Sequence, residues 1–456
     1  MLSHALMLPH PPMIVPAVGK GSEKQIQKTT DAYRQAARFL KDSRPEALVI
    51  ISPHAALYAD YFRLSPGEGA QGSFRGFGIP NVSFSVAYDQ ALGKAIAKTA
   101  GQMGLPAGFE GRGEEKLDHG TMVPLYFLRE AGLEVPIVRM GFSGLSFASH
   151  YRMGMAIARA AEGLGRRVGL VASGDLSHYL KEDGPYGLRP EGAVYDAQIM
   201  DIMGRAAFDE LLSLPPGLCD TAGECGQRSF LMLAGALDGR KVDAQALSYE
   251  GVTGVGYGVC VFAAGEPDES RHFLENQQRE LASQRASESL PVRLARASFE
   301  TYVKTGKIMK LPGDLPQEWT ARQAGVFVSL HKEGELRGCI GTISPTTGSI
   351  AEEIVQNAVS AAARDPRFPP VEEEELDAIQ CSVDVLGQAE DIDSQDMLDV
   401  KKYGVIVSSR GRRGLLLPNL EGVDTVEEQV DIARRKAGIR PGESVSLQRF
   451  EVVRYT

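Results

Sequence analysis

Three histidines each follow a short apolar segment of the chain, and this placement is the strongest chemical signal in the sequence. His10, His54 and His178 close the segments HALMLPH, EALVIISPH and VGLVASGDLSH. Each apolar run has the length of one buried β-strand. Because ligands bind at the carboxyl ends of strands in open α/β sheets, we expect the three imidazoles to meet at one site. Imidazole is the commonest metal ligand among side chains, so the sequence predicts a metal there.

A fourth histidine and an aspartate extend this set. His119 lies in KLDHGTMVPL, directly before a predicted helix, and Asp175 precedes His178 in SGDLSH. Asp175 could orient the His178 ring or cap the turn that follows it, and the pattern leaves both roles open. The remaining histidines have no comparable setting and are predicted to be structural or solvated: His4, His150, His272 and His331.

A third metal ligand is needed, because a non-haem iron site uses two histidines and one carboxylate and keeps open positions for its reactants. Glu224 lies in the segment AGECGQRSF at the start of a predicted helix, and Cys225 follows it directly. Cys225 would be a softer ligand that suits copper or zinc. Glu250 ends the predicted strand ALSYE. The residues alone leave these three candidates open.

The elements that position these residues alternate between strands and helices. This pattern predicts an α/β domain over residues 1–265, with a central, mostly parallel or mixed sheet that is covered by helices on both faces. Residues 266–289 are rich in Glu, Gln, Ser and Arg, which indicates a charged linker. Residues 290–456 combine hairpins with helices and predict a smaller α+β domain.

Composition excludes several classes of protein. The chain has 456 residues and a formal net charge of −10, which argues against a nucleic-acid-binding surface. Five cysteines without a CxxC motif do not make a disulfide framework. No apolar run approaches the ~20 residues of a membrane span. We therefore expect a cytoplasmic protein with no nucleic-acid or membrane partner, and its oligomeric state stays open.

The C-terminal third carries a second group of reactive side chains. In the predicted strand ELRGCIGTI, which follows a KEGE turn, Arg337 and Cys339 share one face because side chains alternate along a strand. The segment ARDPRFPPV adds Asp365 and Arg367 after a predicted helix. Cys339 is either a thiol on a crowded functional face or a buried structural residue.

The N-terminal motifs resemble a known family. The order HPP, SPH, LDHG before VPL, and GDLSH is similar to that of class III extradiol ring-cleavage dioxygenases and the related Memo proteins, over residues 1–264. The resemblance implies that His10 and His54 are metal ligands and that Glu224 supplies the carboxylate. It also implies that His178 is the acid/base, and that His119 is a donor near bound O2 or substrate.

The same resemblance implies an Fe(II) cofactor, with zinc and copper as alternatives, and a catechol-like aromatic substrate that reacts with O2. Memo proteins carry a cysteine where this chain has Cys225, and they can use the histidine of GDLSH with the metal. The identity of the third ligand therefore stays open between Glu224 and Cys225.

The C-terminal motifs LRGCIG, ARDPRFPPV and LLLP after KYGVIV resemble the AMMECR family over residues 290–456. That family has no settled activity, so the resemblance implies a fold and a candidate patch. A Memo-like domain joined to an AMMECR domain resembles the AmmeMemoRadiSam system, which implies a radical SAM protein partner. The alternative function is a metal-binding or redox module of a modification system, without ring cleavage.

Overall fold

The computed structural model describes residues 1–111, 116–332, 335–420 and 422–456. The chain divides into two compact units, Met1–Gln278 and Arg279–Thr456. This boundary lies inside the predicted linker, where the structure has a helix, Phe273–Ala286. Within the described residues, every helix falls short of the length and apolar character that a bilayer crossing requires.

The N-terminal unit alternates strands and helices, as its sequence predicts. Its strands, in chain order, are β1 Leu2–Leu8, β2 Ala47–Ile51, β3 Phe62–Arg63, β4 Gly69–Phe74, β5 Ile79–Ala87, β6 Ala107–Gly108, β7 Ile137–Met140, β8 Val168–Ser173, β9 Arg240–Glu250 and β10 Tyr257–Pro267. Its helices are α1 Pro16–Gly19, α2 Gln27–Asp42, α3 Gln90–Gln102, α4 His119–Glu130, α5 Phe147–Gly163, α6 Pro190–Arg205, α7 Phe208–Leu212, α8 Pro216–Ala222 and α9 Gln227–Ala236, with α10 Phe273–Ala286 at the unit boundary.

The central sheet has the strand order β7-β2-β8-β1-β10-β9. Strands β7, β2, β8 and β1 run parallel, and β10 and β9 are antiparallel additions. Every residue of β2 is buried. Alternate β2 residues belong to separate apolar clusters on the two faces, Val49 on one and Ile50 on the other. A strand that is buried on both faces has a continuous apolar sequence, as β2 does. The predicted mixed sheet with helices on both faces is confirmed.

Register brings the ends of three parallel strands to one edge. Leu8 of β1 pairs with Ser173 of β8, and Ile51 of β2 pairs with Ala172 of the same strand. The loops that follow β1, β2 and β8 therefore leave the sheet side by side. The Gly-rich stretch of residues 65–78, for which the sequence predicts no element, contains β4, which pairs with β5 as an antiparallel hairpin.

The C-terminal unit is the predicted smaller α+β domain. Its strands are β11 Val326–Lys332, β12 Glu335–Gly341, β13 Ile379–Leu386, β14 Glu390–Ile392, β15 Tyr403–Ser409, β16 Arg412–Leu416 and β17 Ser446–Tyr455. Its helices are α11 Leu290–Thr305, α12 Gln317–Thr320, α13 Ile350–Ala363 and α14 Val426–Lys436. The main sheet has the order β12-β11-β13-β17-β15-β16. Val326, Val328 and Leu330 of β11 bury one face against α11 and α13. The predicted KEGE turn includes Glu333 and Gly334, which lie outside the described residues.

Candidate metal centre

Three imidazoles meet at the carboxyl edge of the central sheet. His10 follows β1, His54 follows β2, and His119 is the first residue of α4. The ring centroids lie 4.8 Å apart for His10 and His54, 4.0 Å for His54 and His119, and 5.3 Å for His10 and His119. His10 is buried and His54 is exposed, so the group connects the protein interior with solvent.

Further ligand-type atoms surround the buried nitrogen of His10. The Nε2 atoms of His10 and His54 lie 3.0 Å apart. From His10 Nε2, the Cys225 sulfur is 3.7 Å away and an Asp175 carboxylate oxygen is 3.9 Å away. Among the residues that the structure describes, two sets have ligand atoms within 4.8 Å of one another, namely His10, His54 and His119, and His10, Asp175 and Cys225. Two atoms bound to one ion lie at most about 4.6 Å apart, so both sets are near the required spacing.

One serine determines which nitrogen of His10 faces this group. The Ser173 hydroxyl donates to the Gly120 carbonyl at 2.7 Å, and the same oxygen lies 2.9 Å from His10 Nδ1. A hydroxyl has one proton to donate, so Ser173 accepts from Nδ1–H of His10. Burial, with a smaller contribution from His54, lowers the pKa of His10 to about 3, so the ring is neutral. The lone pair of Nε2 therefore points towards the neighbouring ligand atoms, which is the state a metal requires.

A buried ion pair holds the start of α4 in place. The Asp118 carboxylate accepts hydrogen bonds from the Ser52 hydroxyl, from the Thr121 backbone and from the Arg139 guanidinium, which is 2.6 Å away. Burial would raise the pKa of Asp118, but Arg139 and these hydrogen bonds lower it overall. A side chain at Gly120 would collide with the Ser52 hydroxyl. The sequence marks LDHG as a motif but gives no sign of the Arg139 partner.

Asp175 ties two of the loops together. One carboxylate oxygen accepts from the backbone N–H of His10 at 2.7 Å, and the Asp175 N–H donates to the Cys225 sulfur at 3.2 Å. Burial raises the pKa of Asp175. Within the described residues, no hydrogen bond joins Asp175 to the His178 ring. This carboxylate holds the loop that carries His10, and the expectation that Asp175 orients His178 or caps its turn stays a prediction.

His178 borders the group without being in either ligand set. Its ring stacks on Tyr186, with centroids 5.1 Å apart, and burial lowers its pKa. Phe77 contacts the His119 ring at a centroid distance of 5.6 Å. The two aromatic side chains are 59% and 42% exposed respectively, so they form an open aromatic border beside the imidazoles. The sequence analysis did not identify Tyr186 as a candidate site residue. Phe77 lies in the Gly-rich stretch, which the sequence analysis could not place in the fold.

The two acidic candidates for the third ligand point elsewhere. The Glu224 carboxylate accepts from the Gln227 backbone N–H at 2.6 Å, which caps the otherwise unpaired first turn of α9. Burial raises the pKa of Glu224 to about 7. The Glu250 carboxylate accepts from both the backbone and the hydroxyl of Thr29. Cys225 belongs to one of the two ligand-type sets, whereas Glu224 belongs to neither, and the choice of third ligand between Glu224 and Cys225 stays a prediction.

The C-terminal patch is held together by its own charges. The Asp365 carboxylate accepts from the Cys339 backbone N–H at 2.9 Å and from the Arg367 guanidinium at 2.7 Å, and Arg367 also donates to the Cys339 carbonyl. Arg337 instead donates to Glu375 at 2.8 Å. The structure thus brings Cys339, Asp365 and Arg367 together, while Arg337 fastens the following loop. The charged side chains of this patch therefore stabilise the local fold through ion pairs and hydrogen bonds.

Comparisons with known proteins match both units. Residues 4–260, more than half of the chain, match the family model described as the catalytic LigB subunit of aromatic ring-opening dioxygenase. Residues 292–456 match the AMMECR1 family model. A protein of Clostridium acetobutylicum is 41% identical over 459 residues and covers 98% of both chains. A Thermotoga maritima protein is 52% identical over 166 residues, which are 36% of this chain and 95% of its own.

Two solved structures are also similar. An uncharacterized protein of Pyrococcus horikoshii has 35% sequence identity and a TM-score of 0.34, and it covers 36% of this chain and 88% of its own. An uncharacterized protein of Escherichia coli K12 has 18% identity and a TM-score of 0.41, and it covers 57% of this chain and 99% of its own. The names of these relatives specify no reaction. The chain belongs to the LigB family through residues 4–260, and it carries an AMMECR1 domain in residues 292–456.

Proposed function

We propose that this protein is a metal-dependent oxidoreductase of the extradiol dioxygenase type, which uses Fe(II) and O2 on a catechol-like aromatic substrate. The supporting observation is the group of ligand-type side chains at the sheet edge of a LigB-family domain. The His10 tautomer set by Ser173 supports metal binding independently of the family, because it leaves Nε2 free to coordinate.

His10 and His54 would hold the ion, with Cys225, Asp175 or His119 completing the shell. When bound, Fe(II) would hold an aromatic diol and O2 in one coordination sphere, which removes the entropic cost of their meeting. Asp175 would hold the backbone of His10 and Ser173 would hold its ring in a fixed orientation.

His178 is suited to moving a proton. Because burial lowers its pKa, the ring is neutral near pH 7 and can accept a phenolic proton and later return it. The stacked Tyr186 limits rotation of that ring. The exposed faces of Tyr186 and Phe77 offer surfaces on which a flat aromatic ring can pack.

The test is anaerobic reconstitution with Fe(II), metal analysis, and a catechol panel followed by absorbance of the yellow ring-opened product. We expect one bound iron and turnover of at least one catechol, with His178→Ala retaining iron but losing most of the turnover. Stoichiometric iron with no turnover across a varied panel would contradict the proposal.

A second candidate is a metal-binding or redox module without ring cleavage, working with a radical SAM partner. The observation that favours it is the position of Cys225, because a thiol ligand suits copper or zinc better than an oxygen-activating iron. Metal preference separates the two candidates. If the wild type selects copper over iron, and Cys225→Ala abolishes binding whereas Glu224→Gln does not, the second candidate is favoured.

A further inference from the structure

A carboxylate on a neighbouring helix holds the loop that carries His178. Asp196 lies within α6 and is only 1% exposed. One of its oxygens accepts from the Ser177 backbone N–H at 2.8 Å, and the other accepts from the Tyr249 hydroxyl at 2.7 Å. Two donors on separate oxygens fix the plane of the carboxylate. Its free orientation is therefore lost to the residue that directly precedes His178.

The electrostatic setting of Asp196 is that of a functional group. Burial raises its pKa to about 6, and the opposing effects come from the Ser177 N–H and the Tyr249 hydroxyl. In the part of the chain that the structure describes, no lysine or arginine forms an ion pair with it. Buried carboxylates with a shifted pKa are concentrated at functional sites.

Ser177 is the point through which the contact with Asp196 reaches His178. Ser177 is fully buried, and its carbonyl accepts from the Gly256 N–H at 2.8 Å. Its hydroxyl donates to the Ala222 carbonyl at 2.9 Å and accepts from the Tyr179 N–H at 3.0 Å. The residue before His178 and the residue after it are thus bonded to the same anchored serine. The backbone on both sides of the imidazole is held in place.

Two glycines allow the surrounding elements to approach this loop closely. A Cβ atom at Gly192 of α6 would lie 2.4 Å from the Ser177 hydroxyl oxygen. A Cβ atom at Gly256 would lie 2.0 Å from an Asp196 carboxylate oxygen. Close backbone approach is one of the uses of glycine. A helix and the start of a strand therefore define where Ser177 lies, and such elements place side chains more accurately than a free loop does.

We propose that Asp196 is a positioning residue for His178. By holding Ser177, it fixes the direction in which the imidazole leaves the loop, where the ring stacks on Tyr186. The inference rests on the proposed function, in which His178 moves a proton. Proton transfer needs donor and acceptor atoms about 3 Å apart, and a displacement of about 1 Å can cost 10²-fold in rate.

The placement of the ring can be measured in the full chain without added metal. Selective histidine labelling gives eight ring signals by NMR, and His178→Gln assigns the relevant one. The ring current of Tyr186 displaces this signal, and Tyr186→Leu gives its unstacked position. Asp196→Ala is expected to move the signal most of the way to the unstacked position. Asp196→Asn keeps an oxygen that accepts from Ser177, and its signal is expected to stay near that of the wild type.

A second variant tests the same contact from the opposite side. Gly192→Ala keeps the carboxylate but places a methyl group against Ser177, and it is expected to move the His178 signal as Asp196→Ala does. Asp238→Ala is the matched control, because Asp238 also accepts from a tyrosine hydroxyl and a backbone N–H. The control is expected to leave the signal in place. The proposal is overturned if Asp196→Ala and Gly192→Ala both leave the signal unmoved, or if Asp238→Ala moves it equally.

Turnover by the Fe(II)-loaded chain gives an independent readout. Asp196→Ala is expected to lower kcat about 10–100-fold while iron content and KM stay unchanged, because the proton-transferring ring is displaced and no ligand is lost. Asp238→Ala is expected to keep the kcat of the wild type. An unchanged kcat in Asp196→Ala would overturn the positioning role. Absence of turnover in the wild type would contradict the proposed function instead, and the NMR comparison would still decide whether Asp196 positions His178.

Discussion

The hydroxyl of Ser173, at the end of a strand of the central sheet, determines which nitrogen of His10 carries the proton. It donates to one carbonyl and must therefore accept from His10, so the ring cannot flip its proton to the other nitrogen without losing a buried hydrogen bond. Partners behind a metal-binding histidine are known to orient the ring and raise its basicity. Ser173 is fully buried at the end of β8.

Replacing this hydroxyl is expected to weaken metal binding without removing a ligand. For Ser173→Ala we predict a loss of metal affinity of roughly 10–100-fold, because the His10 ring becomes free to adopt the other tautomer. Competition with a chelator of known affinity measures the loss. Ser149→Ala, an equivalent change on α5, is the control. Equal affinities for wild type and Ser173→Ala would remove the tautomer argument.

A second residue, Asp196, gives the folded state a pH dependence. Burial raises its pKa from 3.8 to about 6, although the Ser177 backbone and the Tyr249 hydroxyl both donate to it. The folded protein thus binds this proton more tightly than the unfolded chain does. The resulting stabilisation is fully present below about pH 4 and is lost as the pH rises through 6.

Asp196→Asn removes this titration and is predicted to be more stable relative to the wild type at pH 8 than at pH 4, by up to roughly 2–3 kcal/mol. Urea unfolding of both proteins at the two pH values measures the difference. Asp243→Asn, at an exposed position of β9, is the control. A stability difference that does not change between pH 4 and pH 8 would show that Asp196 is not the responsible group.

At the scale of elements, the start of α4 is tightly packed beside the candidate centre. Gly120 is buried, and a methyl group there would meet the Ser52 hydroxyl, the Asp118 carboxylate and the His54 ring. The helix carries His119 in its first turn, so a displacement of the helix start also displaces a ligand-type side chain. Rigid elements hold such side chains more accurately than loops do.

Gly120→Ala is therefore predicted to lower stability by about 1–3 kcal/mol, as overpacking does, and to weaken metal binding at the same time. Gly101→Ala is the matched control, because it lies within α3 with no atom near the added methyl group. The control should gain about 0.5–1 kcal/mol from the lower entropy of its unfolded state. Thermal unfolding and metal titration of both variants test this, and a stable Gly120→Ala protein with normal metal affinity would contradict it.

At the scale of the whole molecule, the described residues form separate apolar clusters in each unit, two of them in the N-terminal unit. Units with separate cores unfold as separate cooperative transitions unless a large interface couples them. A ligand stabilises only the unit that binds it in its folded state.

Calorimetry of the full chain is therefore expected to show two transitions, and anaerobic Fe(II) is expected to raise the midpoint of only one. His54→Ala should abolish the Fe(II)-dependent shift while both transitions remain. A single transition that shifts as a whole with metal would indicate that the units unfold together and would contradict separate cores.

The amino-acid sequence alone established the two fold classes, the alternation of strands and helices, and the histidines that close the strands. These features follow from local patterns, because buried parallel strands need continuous apolar runs and their loops carry the functional groups. The match of residues 4–260 to the LigB family and of residues 292–456 to the AMMECR1 family agrees with that assignment.

Only the tertiary structure separated the positions of Glu224 and Cys225, which are adjacent in the chain. The backbone turn before α9 directs one side chain to the helix cap and the other to the imidazoles, and residue types do not encode that direction. The partners Ser173 and Arg139 were likewise hidden, because they are distant in sequence from the residues they support. Long-range packing sets which atoms meet, and it depends on register and helix placement that no local pattern specifies.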